Sequence, residues 1–222
     1  MKQAVIFDVD GVLVDSYQAH FEGWLAAGKK WGFSITEEQF ARTFGRTSRE
    51  VIVDTFGMTW LSDAEIKRLD EQKEAMYREF VAQSFPAMDG AADLLDALHN
   101  AGFALAVGSS GPPPNVDVVL DRLGRRHLFS AIVTGLDVTR GKPDPQVFLL
   151  GADRLVISPA NCLVIEDAPA GIDAAKNAGM KSVGIASTGR HVQELQQANM
   201  VIRSLRELSP DIITRLISST AT

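Results

Sequence analysis

Cysteine is nearly absent from this chain of 222 residues: Cys162 stands alone, so no intramolecular disulfide can form. It lies in the apolar run CLVI (162–165), where a small buried hydrophobe is expected rather than a reactive thiol. Long apolar runs are missing too. No segment approaches the roughly 18 consecutive apolar residues of a membrane span, and the opening MKQAVIFDVDG meets acids after a short apolar stretch, unlike a secretory leader. Positive charge is in deficit. With 22 Lys and Arg against 28 Asp and Glu, the formal net charge is −6 and the pI is near 5.2, which argues against a broad nucleic-acid or anionic-membrane surface and leaves room for a focused anion pocket. A cytoplasmic, monomeric protein without nucleic-acid or membrane partners is expected. There is no internal repeat and no low-complexity linker.

Short runs rich in Val, Ile, Leu and Ala recur at 4–7 (AVIF), 103–107 (FALAV), 131–133 (AIV), 162–165 (CLVI) and 181–186 (KSVGIA). Helical patterns separate them, as in a parallel sheet buried on both faces. Asp144-Pro145, Pro169 and Ser209-Pro210 open helices, and Gly179 closes one. The fold class is therefore α/β. Residues 16 to about 88 break the alternation, with helical patterns at 17–31, 37–43, 48–56 and 63–82 and no convincing strand. They read as an all-helical insertion, domain 16–88, hinged at Asp15-Ser16 and at 86–90 (PAMDG), with Asp15 and Ser16 also opening its first helix. Residues 1–15 and 89–222 form the sheet domain.

In open α/β sheets the binding crevice lies beyond the carboxyl ends of the strands. Four of the apolar runs end in chemistry: Asp8 and Asp10 with Gly11; Ser109 and Ser110; Gly141-Lys142-Pro143; and Glu166 with Asp167. Each one alone is ordinary, since acids after strands usually solvate turns. Gathered at one mouth, the like charges call for a cation, and hard oxygen ligands with few other donors suit Mg²⁺ beside a substrate phosphate.

The segments DVDGVLVDS, VGSS, GKPDPQVF and VIEDAPAGIDAAKNAGM resemble, in order, the four motifs of the haloacid dehalogenase superfamily. The helical insertion directly after the first motif is similar to the cap of the subfamily that includes β-phosphoglucomutase and small phosphatases. The resemblance implies a Rossmann-like core, an all-helical cap domain and Mg²⁺ as cofactor. Asp8 would be the nucleophile that takes the phosphoryl group, and Asp10 the general acid and base, with its backbone carbonyl on the metal. Ser109, Ser110 and Gly11 would hold phosphoryl oxygens, Lys142 would neutralise their charge, and Glu166 and Asp167 would complete the metal shell. Asp10 sets the chain apart from family dehalogenases and phosphonatases, which lack an aspartate there. A receiver domain also combines acids with a lysine, but in a much shorter chain without the insertion.

In RTFGRTSREVIVDTF, Thr47 and Glu50 read as a capping box, with Val51, Ile52, Thr55 and Phe56 as the apolar face of the helix. Arg49 in its first turn opposes the macrodipole, which an anion bound at that terminus would rationalise, and Arg46 lies close by. In the segment 63–82, Ile66, Leu69, Met76 and Phe80 are expected on one stripe with Lys73 among them, where it either snorkels past its neighbours or has a task. The subfamily resemblance implies that Lys73 faces the substrate, that Gly45, Arg46 and Arg49 contact its non-reacting phosphate, and that His20 sits between cap and core. One departure stands out. The mutase pattern has lysine and asparagine after its second motif, whereas this chain has Gly111 and then three prolines, 112–114. The expected substrate is a small phosphorylated metabolite, handled by a β-phosphoglucomutase-like mutase or by a phosphatase; a catalytically silent binding protein is the third alternative.

Overall fold

A computed structural model describes residues 2–44 and 48–219. The chain divides into two compact units, Met1–Asp15 with Pro86–Thr222, and Ser16–Phe85.

The first unit is built on a six-stranded parallel sheet: β1 (Ala4–Phe7), β2 (Ala104–Gly108), β3 (Phe129–Val133), β4 (Cys162–Glu166), β5 (Lys181–Ile185) and β6 (Met200–Ile202). Their spatial order is β3-β2-β1-β4-β5-β6. This is the doubly wound order, which reverses direction beside β1 and opens a crevice at the carboxyl ends there. Both faces are covered by helices, which explains why β1, β2 and β4 are buried throughout and read as continuous apolar runs rather than alternating ones. On one face Ile6, Ala106, Val133 and Val164 meet Phe148.

Helices α5 (Ala91–Asn100), α6 (Pro113–Leu123), α7 (Gln146–Leu155), α8 (Pro169–Asn177) and α9 (Pro210–Ser218) belong to this unit; the numbers α1 to α4 are those of the insertion. Pro at the first helical position starts α6, α8 and α9, since its missing N–H has no intrahelical partner there anyway. At α9 the Ser209 hydroxyl also accepts from the Ile212 amide. Residues 86–88 bond to the first unit: the Asp15 amide donates to the Pro86 carbonyl at 2.8 Å and the Met88 amide to that of Leu13 at 3.2 Å.

The second unit contains α1 (Tyr17–Trp31), α2 (Glu37–Thr43), α3 (Ser48–Glu50), which widens into a π turn over Val51–Thr55, and α4 (Asp63–Gln83). Capping boxes start two of them: Thr36 with Gln39, and Ser62 with Glu65. Its core joins Tyr17, Trp24, Phe40, Val51, Ile52, Ile66 and Leu69. Three local expectations are corrected. The stretch 48–56 is not one regular helix, because the Phe56 amide bonds five residues back to Val51; Phe56 then stacks on Phe33 at 4.2 Å. On α4 the buried stripe runs Ile66, Leu69, Lys73, Tyr77, Val81, whereas Met76 is exposed and Phe80 half-buried. Successive steps of four after Leu69 carry the stripe to Tyr77 and Val81, leaving Met76 and Phe80 on the flank, where they line a groove of about 440 Å³ with Leu25 and Ala26. Ser16 occupies the N-cap of α1, but its buried hydroxyl caps nothing. Thr47 lies outside the described residues. Among those described, no helix is long and apolar enough to cross a membrane.

Candidate active site

The strand ends carry the polar residues to one place. Sheet pairing continues one residue past β1, where the Asp8 amide donates to the Ile165 carbonyl at 3.0 Å, and past β2, where the Ser109 amide donates to Val133 at 3.0 Å. After Asp8 the chain turns sharply: the amides of Leu13 and Val14 return to the Val9 carbonyl, and that of Gly11 reaches Val14. Gly11 has φ of 71°. A Cβ there would come within 2.0 Å of Asp167 Oδ2, so the turn needs glycine for backbone and for space alike.

Asp8, Glu166 and Asp167 are buried, and each offers an oxygen within 4.8 Å of the others. Lys142 is the cation among them. Its Nζ donates to Asp8 Oδ1 at 2.8 Å and to Glu166 Oε1 at 2.6 Å, and it lies 5.0 Å from the centre of the Phe148 ring. Glu166 is held further by the Ala168 amide at 2.7 Å. A Cβ on Gly171 would fall 1.9 Å from Glu166 Oε1, so that glycine clears the carboxylate's seat.

Burial pushes the Asp8 carboxyl up to about 7; Lys142 opposes this, while the charges of Glu166 and Asp10 add to it. Burial, then Glu166 and Asp8, likewise push Asp167 well above the usual carboxylate range, against the pull of Arg190 and Ser187. For Lys142 burial alone would lower the pKa, but the two carboxylates outweigh it and raise it. Three buried carboxylates therefore face Lys142 and, beside Asp167, Arg190, which leaves negative charge to spare, and all the ligand atoms are hard oxygens. This donor set fits a divalent cation.

Ser109 is buried, and its hydroxyl oxygen accepts from the Gly111 amide at 3.0 Å, which leaves the hydroxyl hydrogen for an anion. Asp10 is half-buried and Ser110 exposed. A Cβ on Gly111 would lie 3.8 Å from Asp10 Oδ2. The prolines after Gly111 are not mere absences of donors: they begin α6, whose first turn follows the Ser109-Ser110 turn directly.

The insertion residues stand within their own unit. Lys73 is buried, pairs with Glu74, reaches Ser48 Oγ at 3.4 Å and lies 5.4 Å from the centre of the Trp24 ring. His20 stacks on Tyr77 at 4.4 Å. Arg49 is exposed and donates to Asp63 Oδ1 at 2.7 Å. Gly45 and Arg46 lie outside the described residues.

Sequence reasoning missed the loop after β5. Ser187 donates to Asp167 Oδ2 at 2.9 Å, and Arg190 Nε lies 3.9 Å from the same oxygen. The rule that polar residues follow each strand would have found them at Ser187. Asp15, expected to help open α1, instead accepts from Thr188 at 2.6 Å.

A doubly wound sheet with a buried lysine and three acids at the carboxyl ends, interrupted by a helical unit after its first strand, defines an α/β phosphoryl-transfer enzyme with a carboxylate cluster. Residues 2–179 match the model of the haloacid dehalogenase-like hydrolases, and the chain belongs to that family. It is 32% identical over 217 residues to the β-phosphoglucomutase of Bacillus subtilis (strain 168), covering 95% of this chain and 93% of that one. It is 30% identical over 211 residues to the validoxylamine A 7'-phosphate phosphatase of Streptomyces hygroscopicus subsp. limoneus, covering 94% and 96%. The crystal structure of β-phosphoglucomutase from Clostridium difficile superposes with a TM-score of 0.85 at 28% identity, over 98% of this chain and 97% of that one. The chain is thus an enzyme of the phosphatase and phosphomutase branch of the family.

Proposed function

We propose that the protein transfers a phosphoryl group through an aspartyl-phosphate on Asp8, and that it interconverts phosphate positions on a small hexose phosphate as a β-phosphoglucomutase does. The observation that carries the phosphoryl-transfer reading is the placement of the Asp8 carboxylate at the end of β1, bonded to Lys142 and within reach of Glu166 and Asp167. Similarity to a mutase over 95% of the chain, together with a buried lysine on α4, supports the mutase.

In the first half-reaction an Asp8 oxygen attacks phosphorus in line, the ester P–O bond breaks, and Asp10 gives its proton to the leaving oxygen. In the second half, ionised Asp10 takes the proton of an acceptor hydroxyl, whose oxygen attacks the phosphorus and releases Asp8. Ser109, with the amides of Ser110 and Gly11, orients the phosphoryl oxygens, and Lys142 stabilises the charge they gather. A divalent cation, Mg²⁺ by donor chemistry, held by Asp8, Glu166, Asp167 and the Asp10 carbonyl, would supply the remaining charge neutralisation. Lys73, Arg49, Arg46 and Gly45 are assigned to the far end of the substrate, and His20 to the passage between cap and core.

A second reading, a phosphatase of the same family, has its own support: Pro112, Pro113 and Pro114 offer no side-chain donors where the mutase pattern has lysine and asparagine. The two differ in whether a sugar hydroxyl or water takes the phosphoryl group. Incubation with Mg²⁺, β-glucose 1-phosphate and a trace of the bisphosphate separates them. Glucose 6-phosphate without matching free phosphate is the expected result; stoichiometric phosphate release from several sugar phosphates establishes the phosphatase instead.

A further inference from the structure

Of the carboxylates at the mouth, Asp8 and Glu166 are oriented by Lys142, and Glu166 also by a backbone amide. Asp167 takes no bond from that lysine. The terminal torsion of an aspartate is broad and roughly two-fold, so its rotamer alone does not decide which oxygen faces a cation, and a ligand left free to rotate binds more weakly.

The loop after β5 supplies the missing constraint. The Ala186 amide donates to the Ile202 carbonyl at 2.9 Å, which ties the start of the loop to β6. The next four residues form a tight turn, closed by the Arg190 amide on the Ser187 carbonyl at 3.0 Å, with Gly189 at φ 79° in third place. A positive φ at that position is the type II pattern and calls for glycine. Thr188 Oγ1 anchors the turn on Asp15 Oδ2. Ser187 is thereby fixed, and its hydroxyl meets Asp167 Oδ2, the oxygen that also faces the Gly11 backbone and the Arg190 guanidinium. Two loops, the turn after β1 and the turn after β5, close on one oxygen of a two-oxygen ligand.

We propose that Ser187 is a positioning residue for the cation site: by holding Asp167 Oδ2 it presents the other carboxylate oxygen to the metal. This rests on reading Asp8, Glu166 and Asp167 as that site. Ser187 touches neither substrate nor metal and acts through Asp167.

The test is calorimetric titration of the metal-stripped full chain with MgCl₂, without substrate, with a thermal melt on each variant. Ser187→Ala is expected to weaken Mg²⁺ binding by roughly tenfold, the scale of an outer-sphere partner. Ser187→Thr should bind as the wild type does, and Ser187→Val, which has the shape of Thr without the hydroxyl, should match Ser187→Ala. Thr188→Ala, which removes the loop anchor but leaves the hydroxyl on Asp167, should lose less affinity than Ser187→Ala. Wild-type affinity in Ser187→Ala, or an equal loss in Thr188→Ala, overturns the proposal. Asp167→Asn distinguishes the two layers. If it loses binding while Ser187→Ala does not, the positioning role fails alone; if it binds as well as the wild type, or the wild type binds no Mg²⁺, the site reading fails and takes the positioning role with it.

Discussion

Lys142 and Lys73 are buried to nearly the same extent, their side chains 9% and 7% exposed, yet their surroundings have different origins. Lys142 bridges acids 134 and 24 residues away, which only the folded sheet brings together. Lys73 pairs with its sequence neighbour Glu74 and touches Ser48 and the Trp24 ring within the helical unit. The first constellation leaves negative charge in excess; the second sets a lysine against the acid next to it in sequence. A surplus that the fold does not neutralise marks a place for something else to bind, whereas a lysine set against its neighbour is compatible with structure alone. Burial of a charge therefore says less than the sign of what remains around it.

The contrast can be broken most forcefully at Asp8. Asp8→Asn is expected to lower phosphoryl transfer by roughly three orders of magnitude or more, because the nucleophile is gone, while the cation-free protein melts no earlier than the wild type, since a buried like charge beside Glu166 has been removed. Activity assays and melts in a chelator check both halves. A large drop in stability would show that the cluster is structural.

Lys142→Met comes next. It leaves Asp8 and Glu166 buried without their cation, at a cost of about 3–5 kcal/mol in urea unfolding, along with the loss of most activity. Lys73→Met should also lower stability, by less than Lys142→Met, because it takes a buried cation away from Glu74. The double change Lys73→Met with Glu74→Leu should recover most of that, as apolar replacements of buried pairs do. A raised KM with kcat kept in the double variant would place Lys73 on the substrate; unchanged kinetics would make the pair purely structural.

The third test uses pH. A carboxyl raised to about 7 in the folded chain binds its proton there at pH values where the unfolded chain, near 3.9, has lost it. Its contribution to stability is therefore largest near and below pH 4, declines as pH rises through about 7, and levels off above. In chelator, the part of stability that Asp8 controls should fall from about pH 4 to about pH 7 and then level off, a fall absent in Asp8→Asn. Added Mg²⁺ should stabilise the wild type more at pH 8 than at pH 6. A metal-induced shift in melting temperature that is flat across this range would contradict the charge surplus.

The smallest effect lies away from the mouth, at Asp137, which Arg154 and the amide and hydroxyl of Thr134 hold down to about 2. Its sign is opposite. The stabilisation is complete above the unfolded value and is lost as pH falls from about 4 to about 2, so Asp137→Asn should flatten the acid limb of the stability curve slightly. The same unit thus shifts one carboxyl up, where burial outweighs the lysine bonded to it, and another down, where an arginine and hydrogen bonds hold an exposed carboxylate.

Much of this could be read before any coordinates. Strands β1 to β5 announce themselves because a sheet covered on both faces needs uninterrupted apolar runs, and Asp8, Lys142, Glu166 and Asp167 follow from where those runs stop. β6 escaped notice because Met200–Ile202 is three residues long and only partly buried. The three prolines before Asn115 looked like a lack of donors, although the same residues favour the first turn of α6. On α4 a fixed alternation of three and four misplaced Met76 and Phe80, since the direction in which a stripe drifts depends on what it meets, here α1. Ser187 escaped notice although it directly follows the run KSVGIA, because AST in a loop is ordinary turn composition and only the fold puts that hydroxyl on Asp167.

The central claim is that Asp8 carries the phosphoryl group. Incubating the protein with Mg²⁺ and acetyl phosphate, quenching in acid and mapping the peptides by mass spectrometry tests it directly. One added phosphoryl group on Asp8, absent in Asp8→Asn, is the predicted result; turnover of a sugar phosphate that persists in Asp8→Asn, with no label on residue 8 of the wild type, would contradict it.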